Sequence, residues 1–205
     1  MKAMPSQARA KQKRAALITA ASECFVSHGY HDTTAKTVAS KAGVATGTFY
    51  QYFENKEDML RVIAKQRMEE LYQQVPSATE FLELSSKVEK AGVKPGATER
   101  IFHHVLELIY AFHEQAPELH QILEQRKELD PELAEILGEG EKMLYDRVLI
   151  FVHRFNIENA DAVAFNLFAM AEGLVHRQVF SRPEQSKVLT LKLGAAMLAS
   201  YFDNL

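Results

Sequence analysis

GVATGTFYQYFENKEDML, residues 43–60, sets Phe49, Tyr50, Tyr52 and Phe53 within five positions, behind glycines at Gly43 and Gly47. A helix that only packs on a core spaces its apolar side chains three and four apart and keeps polar groups on the far face. Here aromatics and small hydroxyls crowd both faces of a very short segment. Just upstream, Ala39 is small where a preceding helix would cross this one, and Gly43 stands at the turn between them. Val38, Ala42, Val44 and Phe49 fall where such a pair must face inward. Close crossing needs a small side chain, and the turn favours a residue that accepts positive φ. Both needs are met at one register, that of a helix-turn-helix. With Phe49 inside, Thr46, Gly47, Thr48, Tyr50, Gln51 and Tyr52 line the outer face. Such a helix is short because only its first turns must enter a major groove.

Outward from this segment the chain reads as all-α. A first helix is expected from about Ala8 to His28, with Leu17, Ile18, Ala21, Cys24 and Phe25 at helical spacing and Gly29 ending it. Thr33 or Thr34 can cap a second helix reaching Lys41, and the third covers Thr46 to Tyr52. Asn55 and Asp58 resemble a capping box for a fourth, which runs to Gln74 before Pro76. Ser77 and Glu80 would start a shorter helix, and residues 91–97 form a loop. Further helices are expected over 98–116, 117–129, from Asp130-Pro131 to Phe155, over 159–180 and over 183–203, about nine helices in all. No strand alternation or sequence repeat interrupts them.

Composition excludes several classes. A chain of 205 residues, 47% hydrophobic and 25% charged, suits a soluble globular protein. The single cysteine, Cys24, rules out disulfide frameworks and cysteine-rich zinc sites. The basic N-terminus leads into an apolar stretch interrupted by Thr19, Ser22 and Glu23, which reads as an amphipathic helix rather than a signal peptide. No stretch approaches the roughly 18 apolar residues of a membrane span, so the expected location is cytoplasmic. The net charge of −3 hides an asymmetry. Residues 1–56 hold eight Lys/Arg against three acids, 8 − 3 = +5, which leaves 16 − 24 = −8 for residues 57–205. A basic N-terminal quarter on an acidic body points to a polyanion-binding module attached to a different domain.

TTAKTVASKAGVATGTFYQYFENKEDML, residues 33–60, resembles the DNA-binding segment of the TetR family of bacterial transcriptional regulators. The likeness spans about residues 10–62 and includes FVSHGY at 25–30 and an unbroken AGV-x-x-GT-x-Y-x-YF-x-x-KE pattern. Beyond residue 75 only helix number, helix length and chain length agree. The resemblance implies a helix-turn-helix domain with a basic N-terminal arm at 1–56, and a larger helical ligand-binding and dimerisation domain at 57–205. It also implies that Thr33 or Thr34 and Lys36 contact phosphates, Lys36 reaching toward a base. Thr46, Gly47, Thr48, Gln51 and Tyr52 would read or approach base edges, with Tyr50 and Lys56 on phosphate. The chemistry fits: hydroxyls and helix N-termini position phosphates, and glutamine can pair with adenine.

One such module covers too few base pairs to be selective, and family members dimerise. AFNLFAMAEGLV (164–175) and LKLGAAMLASYF (191–202) mix small and large apolar residues, as close helix approach between two chains requires. The interface is expected to use Phe165, Ala169, Gly173 and Leu174 on one helix. On the other it would use Leu191, Gly194, Ala195, Leu198 and Ala199. Two reading heads would then address half-sites of a palindromic operator about 34–36 Å apart or somewhat further. The middle helices would hold a small, largely hydrophobic or aromatic effector, since pockets are mostly apolar with a few placed polar groups. Candidate lining residues are Phe102, Leu106, Tyr110, His113, Leu123 and Met143. Arg147, Phe151, Phe168, Glu172 and His176 complete the set.

Two other classes compete with a ligand-released repressor. A di-iron helical bundle needs two Glu-x-x-His pairs; no glutamate here has a histidine three residues on, and Glu172 and His176 are four apart. Nucleophilic catalysis lacks a Gly-x-Ser-x-Gly elbow, and Cys24 lies on an apolar face. No enzyme, cofactor or metal is therefore expected. A helix-turn-helix that binds protein rather than DNA is disfavoured by the basic segment and the outward threonines.

Overall fold

The computed structural model describes residues 6–77, 79–80, 83, 96–181 and 183–203. Every regular element among them is a helix: α1 (Ser6–Asp32), α2 (Ala35–Lys41), α3 (Thr46–Phe49), α4 (Lys56–Gln74), α5 (Ala97–Glu114), α6 (Pro117–Lys127), α7 (Pro131–His153), α8 (Ala160–Phe180) and α9 (Lys187–Asp203). The short helix expected after Ser77 and the loop at 91–97 fall largely outside the described residues. At that helix's first turn Glu80 accepts from the Ser77 backbone N–H at 2.7 Å, and Ser77 Oγ accepts from the Glu80 N–H at 3.3 Å. No helix among the described residues is long and apolar enough to cross a membrane.

The chain forms two compact units: residues up to Met68 with Glu118–Gly138, and Glu69–Pro117 with Glu139–Leu205. The division falls inside α4 rather than at its start, and α6 with the first turns of α7 belongs to the first unit.

In the first unit α1 buries Leu17, Ala21, Cys24 and Phe25, and Gly29 breaks its geometry at φ 77°, ψ 169°. The break lets the chain turn into α2, whose cap is built from two threonines. Thr34 Oγ1 accepts from the Thr37 N–H at 3.1 Å, and Thr37 Oγ1 accepts from the Thr34 N–H at 2.9 Å. At α4 the box is shifted by one residue. Asn55 Oδ1 takes the Asp58 N–H at 2.7 Å, while Asp58 reaches back to the N–H of Glu54 at 3.0 Å.

In the second unit α5, α7, α8 and α9 share an apolar core that includes Leu106, Val152, Leu167, Val175, Leu191 and Leu198. Phe202 lies at its aromatic centre, 5.8 Å from Phe102 and 5.5 Å from Phe151 between ring centroids. A Cβ at Gly194 would stand 2.7 Å from Leu174 Cδ1, so the Leu174 side chain would have to shift to admit one.

Candidate nucleic-acid interface

The helix-turn-helix is set by three buried side chains. Val38, Ala39 and Phe49 pack inside, Gly43 turns at φ 68°, and the Val44 N–H donates to the Ala39 carbonyl at 3.0 Å. Phe49 meets Phe53 at 5.6 Å between centroids and fixes the roll of α3. The regular helix ends at Phe49, three residues before the expected Tyr52. From there the turn tightens to three-residue hydrogen bonds, Gln51 N–H to Thr48 O at 3.3 Å and Tyr52 N–H to Phe49 O at 3.0 Å.

This roll exposes Thr46, Gly47, Tyr50 and Gln51 and leaves Thr48 and Tyr52 half-buried. Nothing stands within 4 Å of where a Cβ at Gly47 would be, so the backbone there can be approached closely. Thr34 and Lys36 are exposed beside them on α2. Thr33 is not: it is 1% exposed, and its hydroxyl donates to the Gly29 carbonyl at 2.8 Å. That buries it away from any phosphate, and of the two threonines only Thr34 is exposed. Lys56 is occupied as well. Its Nζ donates to the carbonyls of Tyr30 (2.8 Å), His31 (3.2 Å) and Thr33 (3.2 Å), ending the first helix electrostatically.

Tyr30 is the hub of this brace. Its hydroxyl donates to Glu57 Oε1 at 2.8 Å, and Lys56 and Arg126 lie 4.4 and 4.5 Å from its ring centroid. Burial, then the Glu57 carboxylate, pushes its phenol well above the ordinary value. Arg61 and Asp130 form a second brace through bonds of 2.9–3.1 Å. Neither Arg126 nor Asp130 is foreshadowed as a support of the helix-turn-helix by local spacing. Each lies far along the chain from its partner.

The match to a family model for bacterial regulatory proteins of the tetR family covers residues 17–63, the span just described. Residues 17–63 carry the N-terminal segment of the TetR family. Over 61 residues it is 46% identical to the fatty acid metabolism regulator protein of Bacillus subtilis, covering 28% of this chain and 31% of that protein. A crystal structure described as a TetR-family transcriptional regulator from Mesorhizobium loti superposes with a TM-score of 0.72 at 16% identity, covering 94% of this chain and 98% of the other. The fatty acid degradation regulator of Bacillus halodurans gives 0.63 at 20% identity, covering 97% and 96%. These structures establish the shared fold, a TetR-type helix-turn-helix followed by a helical bundle. The sequence matches span about a third of the length of the curated relatives.

Beyond the helix-turn-helix, the expected effector residues divide. Phe102, Leu106, Tyr110 and Phe151 are buried in the core of the second unit, with Phe102 and Phe151 in direct ring contact. Phe168 is half-buried with its ring 5.7 Å from Tyr145. Leu123 is buried in the first unit, and Met143 is 49% exposed, so neither lines a pocket in that core. Arg147 is spent on the end of α4: its guanidinium donates to the carbonyls of Tyr72 (2.7 Å) and Val75 and lies 3.7 Å over the Tyr72 ring. His113 and His176 do meet, at 3.2 Å, with Glu172 exposed beside them.

The expected dimer residues divide too. Phe165, Ala169 and Gly173 are exposed, whereas Leu191, Gly194, Ala195, Leu198 and Ala199 are buried within the chain. Leu174 packs on Gly194. The small residues of α9 thus serve close packing inside one chain. Its outer face instead carries Leu189, Leu193, Met197 and Tyr201.

Proposed function

We propose that this TetR-family protein is a DNA-binding transcriptional repressor that acts as a homodimer on a palindromic operator in the cytoplasm and is released by a small, largely hydrophobic effector. The observation that carries the reading is the short α3 segment, pinned by buried Phe49 so that Thr46, Gly47 and Gln51 face outward beside Thr34 and Lys36. Thr34, Lys36 and Tyr50 contact phosphates; Thr46, Gly47, Thr48, Gln51 and Tyr52 read or approach base edges. Lys56 positions this face by holding the end of α1, and it can reach a phosphate only by giving up one of its carbonyls.

The effector is expected among the aromatic and aliphatic side chains of the second unit, around Phe102, Leu106 and Tyr110. Support comes from their apolar character and from relatives named as fatty acid regulators. α4 is covalently common to both units, so a ligand that favours one position of its C-terminal turns alters operator affinity by its differential binding, about 1–3 kcal/mol of coupling.

The test is retention of sheared genomic DNA by the purified protein at about 0.2 M salt, where purely electrostatic contacts are suppressed. Enrichment of a few palindromic sites is expected. Gln51→Ala and Thr46→Ala should each cost about 1–3 kcal/mol at the matching base with unchanged thermal stability, since both side chains are exposed. Lys36→Ala should weaken binding to all sequences alike and reduce the salt slope by about 0.9. Retention without any sequence preference, or preference unaffected by Gln51→Ala and Thr46→Ala, would overturn the proposed reading face.

A further inference from the structure

His113 on α5 and His176 on α8 face each other in the second unit in a way that neither the apolar core nor the DNA-reading face explains. His113 is buried, and its Nδ1 lies 2.8 Å from the Ile109 carbonyl, one turn back on α5. A carbonyl only accepts, so Nδ1 carries the proton, and in the neutral ring Nε2 holds the lone pair. That lone pair is directed at His176 Nε2, 3.2 Å away. His176 holds its own Nδ1 3.9 Å from Glu172 Oε1, one turn earlier on α8. A carboxylate on that side favours the proton at Nδ1, which turns a second lone pair toward the first. In that tautomer the two ring nitrogens stand at a separation that a cation can bridge.

The spacing fits a metal ion. Two nitrogens on a tetrahedral zinc, with bonds of about 2.0–2.1 Å, stand about 3.3 Å apart. His113 has the outer partner typical of a metal ligand, a backbone carbonyl that fixes its tautomer, and the Glu172 carboxylate lies near His176 Nδ1, beyond hydrogen-bond distance. Phe180 lies 6.1 Å from the His113 ring and 5.4 Å from that of His176, and Phe112 lies 5.6 Å from His113, so the pair is set among aromatic surfaces.

We propose that His113 and His176 are ligands of a divalent transition-metal ion of the zinc class, which ties α5 to α8, with the Glu172 carboxylate near His176. Imidazole suits zinc, nickel and copper rather than magnesium or calcium. Water or a donor atom of a small molecule completes the coordination. The competing arrangement is an ordinary hydrogen bond, with His176 Nε2–H donating to His113; it satisfies the same distance without metal.

The two are separated by zinc uptake. Untagged full-length protein, stripped of metal with a chelator, is dialysed against Zn2+, with Co2+ as a spectroscopic probe of coordination. One zinc per chain and a raised Tm are expected. Glu172→Gln should weaken zinc by about tenfold, and His113→Gln and His176→Gln by more. Exposed His104→Gln should leave it unchanged. Should His113→Gln fail to fold, His176→Gln decides, because that side chain is only half-buried. No uptake by the wild type, or uptake that His176→Gln leaves intact, overturns the site in favour of the metal-free hydrogen bond.

Discussion

Asp130 concentrates several interactions on one carboxylate. It accepts from Arg61 Nε at 2.9 and 3.1 Å and from Nη2 at 3.0 Å, and it caps α7 through the Leu133 N–H at 3.1 Å. Burial alone would raise its pKa, but the Arg61 guanidinium and the Leu133 N–H outweigh it and hold the carboxyl below its ordinary value. A depressed folded pKa means that this contribution to stability is complete above the ordinary aspartate value of 3.8 and is lost as pH falls through the lower folded value. Asp130→Ala should therefore cost about 2–3 kcal/mol in urea unfolding at neutral pH. This is less than the about 3–5 of a fully buried pair, because Arg61 is 28% exposed and keeps Glu132. The disadvantage of Asp130→Asn should start to shrink as pH falls below 3.8 and close only below the lower folded value, and a gap constant with pH would exclude this account. The helix start at Asp130-Pro131 is legible in the sequence because capping is local. The Arg61 partner is 69 residues away, and no periodicity encodes it.

At the scale of elements, α4 is closed at both ends by side chains. Its N-terminus has the Asn55 and Asp58 bonds, and its C-terminal carbonyls have Arg147, on Tyr72 and Val75, with the guanidinium stacked on the Tyr72 ring. A cation on the last carbonyls of a helix completes hydrogen bonds the helix itself cannot make. Arg147→Ala should speed amide exchange over residues 71–75 by about tenfold, the equivalent of a lost charged hydrogen bond of about 1.5 kcal/mol. Arg147→Lys should not restore protection, since an ammonium can bridge the two carbonyls but lacks the planar guanidinium face that lies on the Tyr72 ring. Rescue by lysine would reduce Arg147 to a simple charge effect. The sequence places Arg147 among the candidate effector residues, as a polar group mixed with large apolar side chains over 143–155, because nothing local marks it as the cap of another helix. The α2–α3 turn is the opposite case. Ala39, Gly43 and Phe49 are dictated by contacts within a few residues of one another, and all three occupy their expected roles. The length of α3 was less legible, because tightening after Phe49 depends on how Phe49 and Phe53 seat together.

For the whole molecule, α9 shows where patterning runs out. It is apolar on more than one face, so composition alone cannot say which face meets its own chain. Burial settles the matter: Leu191, Ala195 and Leu198 face inward, and Leu174 packs where a side chain on Gly194 would stand. What remains outside is a stripe of Leu189, Leu193, Met197 and Tyr201, with Leu193 54% and Met197 62% exposed. On the neighbouring helix of the same unit, Phe165 is 64% exposed. Large side chains grouped in this way mark an interaction surface. A second copy meeting it about a two-fold axis would present the same stripe in return. The dimer proposed here therefore buries large residues at its centre, with Ala169 and Gly173 letting the helices approach. A charge placed in that centre is desolvated without a partner. Leu193→Glu and Met197→Glu should each weaken self-association by at least about 2 kcal/mol, roughly thirtyfold, in sedimentation equilibrium. Helix content should be preserved, because neither side chain serves the chain's own core. Ala195→Glu, aimed at the buried face, should unfold the second unit instead. The DNA readout separates dimerisation from folding. In the Leu193→Glu protein, binding to a full palindrome should fall to the level of a single half-site, while the half-site affinity itself stays unchanged. A wild type that is monomeric at micromolar concentration, or a Leu193→Glu protein that keeps its preference for the palindrome, would move the interface away from α9.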